Sequence, residues 1–295
     1  MLKSCNLCPH ECKVNRTNNE LGFCKCKDEV EIALSSLHFY EEPCISGTNG
    51  SGTIFFSHCN MNCVYCQNYE ISQLGKGKSI SVEHLAELFL KQQSKKAHNV
   101  NLVSPTPYVQ HIIEAIIIAR EKGFTLPIIY NTNGYEKIET LKMLEGYIDV
   151  YLPDFKYFDD ELALKYSKIS KYKEITEKAL KEMYRQVGAP RIDRSGIIQR
   201  GMIIRHLVLP NEVENSKKIL KWIKENMDNN VYISIMAQYF PCYKAKQIEN
   251  LNRKLRIEEY EEVKDYMYDL QLENGYIQEL GEHEEEYVPK FDLSE

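Results

Sequence analysis

Six short runs of apolar, β-branched and aromatic residues recur along the chain with helix-patterned stretches between them. The runs are Thr53–Ser57, Val100–Val103, Pro127–Tyr130, Ile148–Leu152, Gly201–Val208 and Val231–Met236. Helical patterns cover Val82 to about Ser94, Tyr108 to Lys122, Lys137 to Leu144, Asp160 to Val187, and Ser216 to Asn226. Strands that alternate with helices pair in parallel, because the helix supplies a right-handed crossover. Two architectures satisfy this: a barrel, complete or partial, and an open doubly wound sheet. Periodicity does not choose between them. Both bind ligands at the carboxyl ends of strands, so chemistry is expected there. The stretch Gly188 through Gly196 reads as a loop and a candidate lid.

Cysteine placement divides the same chain. Ten of its 295 residues are Cys, and nine of those precede residue 67. With 43% hydrophobic residues, a chain of this length buries a real core without covalent staples. The longest apolar run, Ile112 to Ala119, is broken by Glu114 and falls far short of the roughly 18 residues that cross a bilayer. No membrane partner is expected. The opening Met1-Leu2-Lys3-Ser4-Cys5 lacks the apolar region of a secretory signal, so a reducing cytoplasm is the expected compartment. There, cysteines point to metal or redox chemistry. A net charge of −6 argues against nucleic acid as the main partner. Much of the acidity lies after Glu258, and Glu282-His283-Glu284-Glu285-Glu286 reads as a solvated face or frayed tail. The expected organisation is a Cys-rich module over 1–45, an α/β unit over 46–255 and a helical, acidic extension over 256–295.

Directly after the first strand stands Cys59-Asn60-Met61-Asn62-Cys63-Val64-Tyr65-Cys66, a C-x3-C-x2-C triplet. Three thiolates within eight residues can converge on one inorganic centre, with loop amides bonding the sulfurs. On a four-iron cubane they leave one iron open to another ligand. Spacing alone also admits a zinc site with a remote fourth Cys, or three buried thiols. The first 26 residues carry a second group, Cys5, Cys8, Cys12 and Cys24, which supplies the four thiolates of a closed site, either an auxiliary iron–sulfur cluster or structural zinc. Cys26, Cys44 and Cys242 receive no role.

The triplet, with Tyr65 as its aromatic residue, closely resembles the cluster loop of the radical S-adenosylmethionine (SAM) superfamily. The string Ile45-Ser46-Gly47 through Phe56, and Gln67-Asn68-Tyr69-Glu70-Ile71-Ser72 after the triplet, resemble the PflX-like branch related to pyruvate formate-lyase activating enzymes. The likeness runs from Cys5 to about Pro241, with Asn131-Thr132-Asn133-Gly134, Pro153-Asp154-Phe155-Lys156, Ile204-Arg205-His206 and Met236-Ala237-Gln238-Tyr239 as signposts.

The resemblance implies a partial (β/α)6 barrel and a [4Fe–4S] cluster on Cys59, Cys63 and Cys66. It further implies SAM chelated to the open iron, reductive cleavage to a 5′-deoxyadenosyl radical, and an electron donor such as flavodoxin or ferredoxin. By the same resemblance the substrate is a protein or peptide, for example a glycyl-radical enzyme losing a hydrogen from a glycine Cα. Radical modification of a small molecule or nucleic acid, and a zinc-bound scaffold without catalysis, are the alternatives.

Where the superfamily carries Gly-Gly-Glu-Pro for the cofactor's ammonium group, this chain has Ser104-Pro105-Thr106-Pro107, so Ser104 or Thr106 either takes over that contact or simply forms a turn. Asn131 stands where activating enzymes carry Asp, and Phe155 where they carry Leu. Lys156 is expected at the cofactor carboxylate, with an ordinary ion pair to Asp154 as the alternative. Asn131 and Asn133 are expected at the ribose or carboxylate, and Gln238 on the adenine or substrate side. His206 either faces the lumen or is a satisfied core histidine; Arg205 points the opposite way along the strand and is expected to face a helix if His206 faces the lumen.

Overall fold

The computed structural model describes residues 2–281 and 288–294. In chain order the elements are β1 (Val30–His38), α1 (Pro43–Ser46), β2 (Ser51–Phe56), α2 (Tyr69–Ser72), β3 (Lys78–Ile80), α3 (Val82–Ser94), β4 (Val100–Val103), α4 (Val109–Glu121), β5 (Ile128–Thr132) and α5 (Ile138–Met143). They continue with β6 (Val150–Pro153), α6 (Asp160–Ser167), α7 (Tyr172–Val187), β7 (Arg191–Ile192), β8 (Ile198–Leu207), α8 (Val213–Asn226), β9 (Tyr232–Met236), α9 (Ile257–Asp269) and β10 (Gly275–Ile277).

The six expected strands are β2, β4, β5, β6, β8 and β9, and they pair in parallel in that order. Such strands are covered on both faces, which explains why β2, β4, β5 and β6 are buried along their whole length and show no polar alternation. The crossover helices bury one stripe each. In α3, Ser81 caps the first turn by accepting the His84 N–H, and Leu85, Leu88, Phe89 and Gln92 face inward at helical spacing.

The sheet does not close. Its order is β10-β9-β8-β6-β5-β4-β2-β1-β3, with β1 antiparallel to both β2 and β3, and β10 parallel to β9. The architecture is therefore the partial barrel, extended beyond the six parallel strands by β1 and β3 on one side and β10 on the other. β1 lies within 1–45 and β10 within 256–295, so the sheet takes a strand from each flanking segment.

Two local expectations change. The stretch Asp160–Val187 is two helices, because Lys168 and Lys171 both adopt left-handed backbone (φ 58° and 54°) between α6 and α7. The candidate lid is a hairpin: β7 pairs antiparallel with the first residues of β8, and Asp193 Oδ1 closes the turn by accepting the Ser195 and Ile197 N–H groups. That places it at the amino-terminal ends of the parallel strands, away from the ends that carry the triplet. The acidic run at 282–286 lies outside the described residues.

Candidate active site

β2 delivers the chain to the cysteine triplet, and His58 turns it out of the sheet in left-handed conformation (φ 67°). Two structures pin the loop. The buried Asn60 donates Nδ2 to the Tyr135 carbonyl at 2.7 Å and accepts from Asn133 Nδ2 at 2.7 Å. The end of α6 presents its free carbonyls, with Ser167 O accepting the Asn62 N–H at 3.1 Å and Tyr166 O accepting the Val64 N–H at 2.8 Å. The break between α6 and α7 leaves those carbonyls available.

Cys59, Cys63 and Cys66 line one open cavity at the carboxyl ends of the strands, about 1140 Å3 when the space open to solvent is counted, as for the other cavities below. Each sulfur has a polar neighbour. The Met61 N–H and Asn133 Nδ2 donate to Cys59 Sγ at 3.4 Å each, Ser167 Oγ donates to Cys63 Sγ at 3.0 Å, and Cys66 Sγ lies 3.1 Å from Ser72 Oγ. Burial pushes the Cys59 and Cys66 thiols up to about 12, reinforced by neighbouring Cys63. Thiolates form in such a place when a metal takes the proton's position. Among the described residues no three His, Cys, Asp or Glu side chains are gathered tightly enough to hold one ion. Three cysteine sulfurs on one cavity wall, each with a polar neighbour, are a donor set of the kind an iron–sulfur cluster takes.

Opposite the thiols runs a buried charged network. Lys156 Nζ meets Asp154 Oδ2 at 2.6 Å, Arg205 Nε meets Asp154 Oδ1 at 2.9 Å, and Arg205 NH1 meets Glu41 Oε2 at 3.2 Å. Arg205 NH2 also donates to Asn131 Oδ1 at 2.6 Å. Burial alone raises the Asp154 carboxyl, but Arg205 and Lys156 together outweigh it and hold the group below the usual carboxylate range. Lys156 loses from burial and gains more from Asp154 and Cys63, so it stays protonated. The Asn133-Gly134 turn fits beneath this network because Gly134 (φ 79°) has no Cβ, which would lie 2.4 Å from the Asp154 carbonyl.

Tyr65, the aromatic residue of the triplet loop, lines the cavity together with the expected cofactor contacts Ser104, Asn131, Asn133, Lys156 and Gln238. Ser104 is left-handed (φ 59°), which turns the chain away after β4. The Tyr65 hydroxyl bonds Tyr157 at 2.6 Å, so its ring is held as wall. The Tyr239 ring is core, with its hydroxyl on the Leu251 carbonyl.

Thr106 and His206 do not reach the cavity. Thr106 is buried and donates Oγ1 to Glu136 Oε1 at 2.6 Å, a carboxyl that Thr132 and Tyr130 also serve. Burial pushes Glu136 up to about 7 against these three hydroxyls. His206 Nδ1 lies 2.7 Å from the Phe155 carbonyl and Nε2 2.8 Å from Ser216 Oγ on α8. It is the satisfied core histidine, neutral because burial lowers it to about 4. With His206 toward α8, its lumen-facing alternative is set aside, and strand alternation sends Arg205 into the lumen. Arg205 was legible in one respect: a guanidinium in the middle of a buried strand requires a carboxylate beside it. Glu41, which comes from the turn after β1, carried no signal.

The amino-terminal cysteines form a separate, smaller site. Cys5, Cys8, Cys12 and Cys24 line a cavity of about 300 Å3, together with the previously unassigned Cys26. The Phe23 N–H donates to Cys12 Sγ at 3.4 Å. The Cys26 thiol holds Cys24 down to about 6, whereas burial pushes Cys8 up. The module is stitched to the barrel by buried Arg16, which donates to the Pro107 carbonyl at 2.6 Å, and by Thr140 Oγ1, which donates to Leu7 O at 2.7 Å. His10 Nε2 lies 2.9 Å from Asn60 O, one residue from Cys59. Cys44 and Cys242 lie elsewhere, the latter with its thiol on the Tyr65 carbonyl. Among the described residues no helix is long and apolar enough to cross a membrane.

Residues 53–237 match the radical SAM superfamily. An uncharacterised protein of Methanocaldococcus jannaschii is 34% identical over 271 residues, covering 88% of this chain and 73% of that one. The pyruvate formate-lyase-activating enzyme of Clostridium pasteurianum is 24% identical over 220 residues, covering 72% of this chain and 85% of that enzyme. Among solved structures, Streptococcus suis SuiB bound to SAM superposes with a TM-score of 0.51 at 15% identity, over 79% of this chain and 50% of SuiB. The [FeFe]-hydrogenase maturase HydG superposes with a TM-score of 0.52 at 11% identity, over 78% of this chain and 52% of HydG. At such identities the likeness concerns the fold alone, and the chain spans about half the length of those two proteins.

Proposed function

The chain belongs to the radical SAM superfamily, and from that premise we propose that Cys59, Cys63 and Cys66 hold the [4Fe–4S] cluster and that the adjoining cavity receives SAM for hydrogen abstraction from a protein or peptide. Membership implies the cluster, SAM and an electron donor; flavodoxin or ferredoxin is the proposed donor. When bound, the cluster and SAM together supply a 5′-deoxyadenosyl radical. The chain's own task is positioning and exclusion of water. Lys156 presents a fixed ammonium to the cofactor carboxylate, Asn131, Asn133 and Ser104 offer hydrogen bonds to its polar groups, and Gln238 borders the far side. The Tyr65 ring, locked by Tyr157, walls the cavity beside the thiols.

The single observation that carries this reading is that three thiols sharing one cavity with a buried, cation-bearing network sit at the carboxyl ends of a parallel sheet. The protein or peptide substrate draws support from the likeness to the Clostridium pasteurianum activating enzyme, which is matched over most of its length. SuiB, a structural neighbour, has been solved with a precursor peptide. The amino-terminal group Cys5, Cys8, Cys12 and Cys24 is proposed as a second, closed metal site, an auxiliary cluster or zinc, whose sulfurs would draw together around the metal, since as described no three of them stand close enough to hold one ion. The test is deuterium transfer: a deuterated protein or peptide substrate incubated with the reduced holoenzyme passes its label into 5′-deoxyadenosine. Label from a small molecule or nucleic acid, with none from any polypeptide, would overturn the substrate class.

A further inference from the structure

A second cavity, of about 870 Å3, adjoins the first where the sheet fails to close. The segment Phe39–Pro43 that follows β1 bounds one side, and Ser234 of β9 with Tyr276 of β10 bounds the other. The two cavities share Glu41, Arg205 and Gln238, so the space beside the thiols is continuous with this lateral opening.

Carboxyl groups outnumber cations at the junction. Glu41, Glu42 and Asp154 face Lys156 and Arg205, and burial pushes the Glu41 and Glu42 carboxyls up. Lys156 is engaged by Asp154, and Arg205 divides its guanidinium among Asp154, Glu41 and Asn131. Glu42 faces only the lateral cavity. It is 8% exposed, and its Oε2 is buried without a hydrogen-bond partner among the described residues. Burial holds such a carboxyl up while the site is empty, and a cation brought beside Oε2 would favour its ionised form. Aromatic walls suit the same occupant: the side chains of Phe39 and Tyr276 flank the opening, and ring faces attract cations.

We propose that this lateral cavity binds a cationic nitrogen of the substrate, an ammonium or guanidinium, with Glu42 as its counter-ion. The inference rests on the reading of the adjoining cavity as the SAM site, because it makes the lateral opening the way in for the molecule that loses hydrogen. The cation would anchor the substrate beside Glu42, leaving its carbon framework to extend past Arg205 and Gln238 toward the thiols.

The test is direct binding to the cluster-loaded, SAM-bound protein, with two matched pairs of probes. N-acetyl-glycyl-lysyl-glycinamide is compared with its norleucine counterpart, and n-hexylammonium with 1-hexanol. In each pair that binds, the cationic member should bind about ten-fold tighter or better, the scale of one charge-assisted hydrogen bond. Glu42→Gln should abolish that preference. If the peptide pair shows the larger effect, the cation is a side chain; if the hexyl pair does, it belongs to a small amine. Equal binding of charged and neutral members, no binding of either cationic probe, or a preference that survives in E42Q overturns the proposal. The melting temperature of the wild-type protein supplies a second readout: each cationic probe should raise it more than its neutral counterpart, and an equal rise contradicts the cation site. The assay needs no SAM cleavage. A protein that cleaves SAM but shows no charge preference lacks the cation site, while one that shows the preference without cleaving SAM contradicts only the radical reading.

Discussion

The two cysteine groups of this chain use the same side chain in opposite settings. The triplet Cys59, Cys63 and Cys66 opens into a cavity of about 1140 Å3 lined by Lys156, Asp154 and Arg205. The group around Cys5, Cys8, Cys12 and Cys24 surrounds about 300 Å3 lined almost entirely by the cysteines themselves and their own loop. Three ligands with room beside them leave a metal position for a substrate or cofactor; four without room leave none. The contrast teaches that cysteine count says little about role, and that space and nearby charge decide it. The groups are nonetheless neighbours, joined through His10 and Asn60.

The largest effect expected is at the open site. Cys63→Ala should abolish SAM cleavage and remove the cluster's charge-transfer absorbance, measured anaerobically after reconstitution. Retained cleavage would break the distinction outright. Next, Cys8→Ala should remove the amino-terminal metal, read by metal analysis, while the absorbance of the cluster on the triplet persists. Loss of both metals together would show that the groups form one unit. Lys156→Met should then weaken SAM binding by about ten-fold, since one charge-assisted contact is lost; an unchanged Kd would return Lys156 to the role of a plain partner for Asp154.

The remaining effects concern stability. Glu136 has a carboxyl raised to about 7 from an ordinary 4.5, so the folded state holds a proton that the unfolded state releases. Its favourable contribution is fully present below about pH 4.5 and is lost as pH rises through 7. The wild-type melting temperature should therefore fall between roughly pH 5 and 8 relative to Glu136→Gln, measured by calorimetry. Thr106→Val, which removes one donor from that carboxyl, should cost about 1 kcal/mol of stability and leave SAM affinity unaltered. A marked loss of affinity would put Thr106 at the cofactor after all.

Much of this was legible in the sequence, and the failures have physical causes. The six parallel strands and the triplet loop follow from short β-branched runs between helical patterns, because a buried parallel strand shows itself as continuous hydrophobicity. The same continuity hid side-chain direction: β8 is largely buried, so nothing local distinguished Arg205 from His206, and only Ser216 on α8 and Asp154 directly after β6 decide it. Thr106 stayed open between a cofactor contact and a turn because its partner Glu136 lies 30 residues away. The break after α6 has no Gly or Pro to announce it; Lys168 and Lys171 take left-handed conformations instead. Glu41 and Glu42 enter the barrel from the turn after β1, a placement that exists only once β1 pairs with β2.

The central claim is that the open group is a SAM-cleaving centre. Its most direct test is to load the protein anaerobically with iron and sulfide, reduce it with dithionite in the presence of SAM, and quantify 5′-deoxyadenosine. The account predicts that 5′-deoxyadenosine forms with the wild-type chain and is absent when Cys59, Cys63 or Cys66 is replaced. A cluster-loaded protein that yields none, or a colourless protein that holds zinc at the triplet, would contradict it.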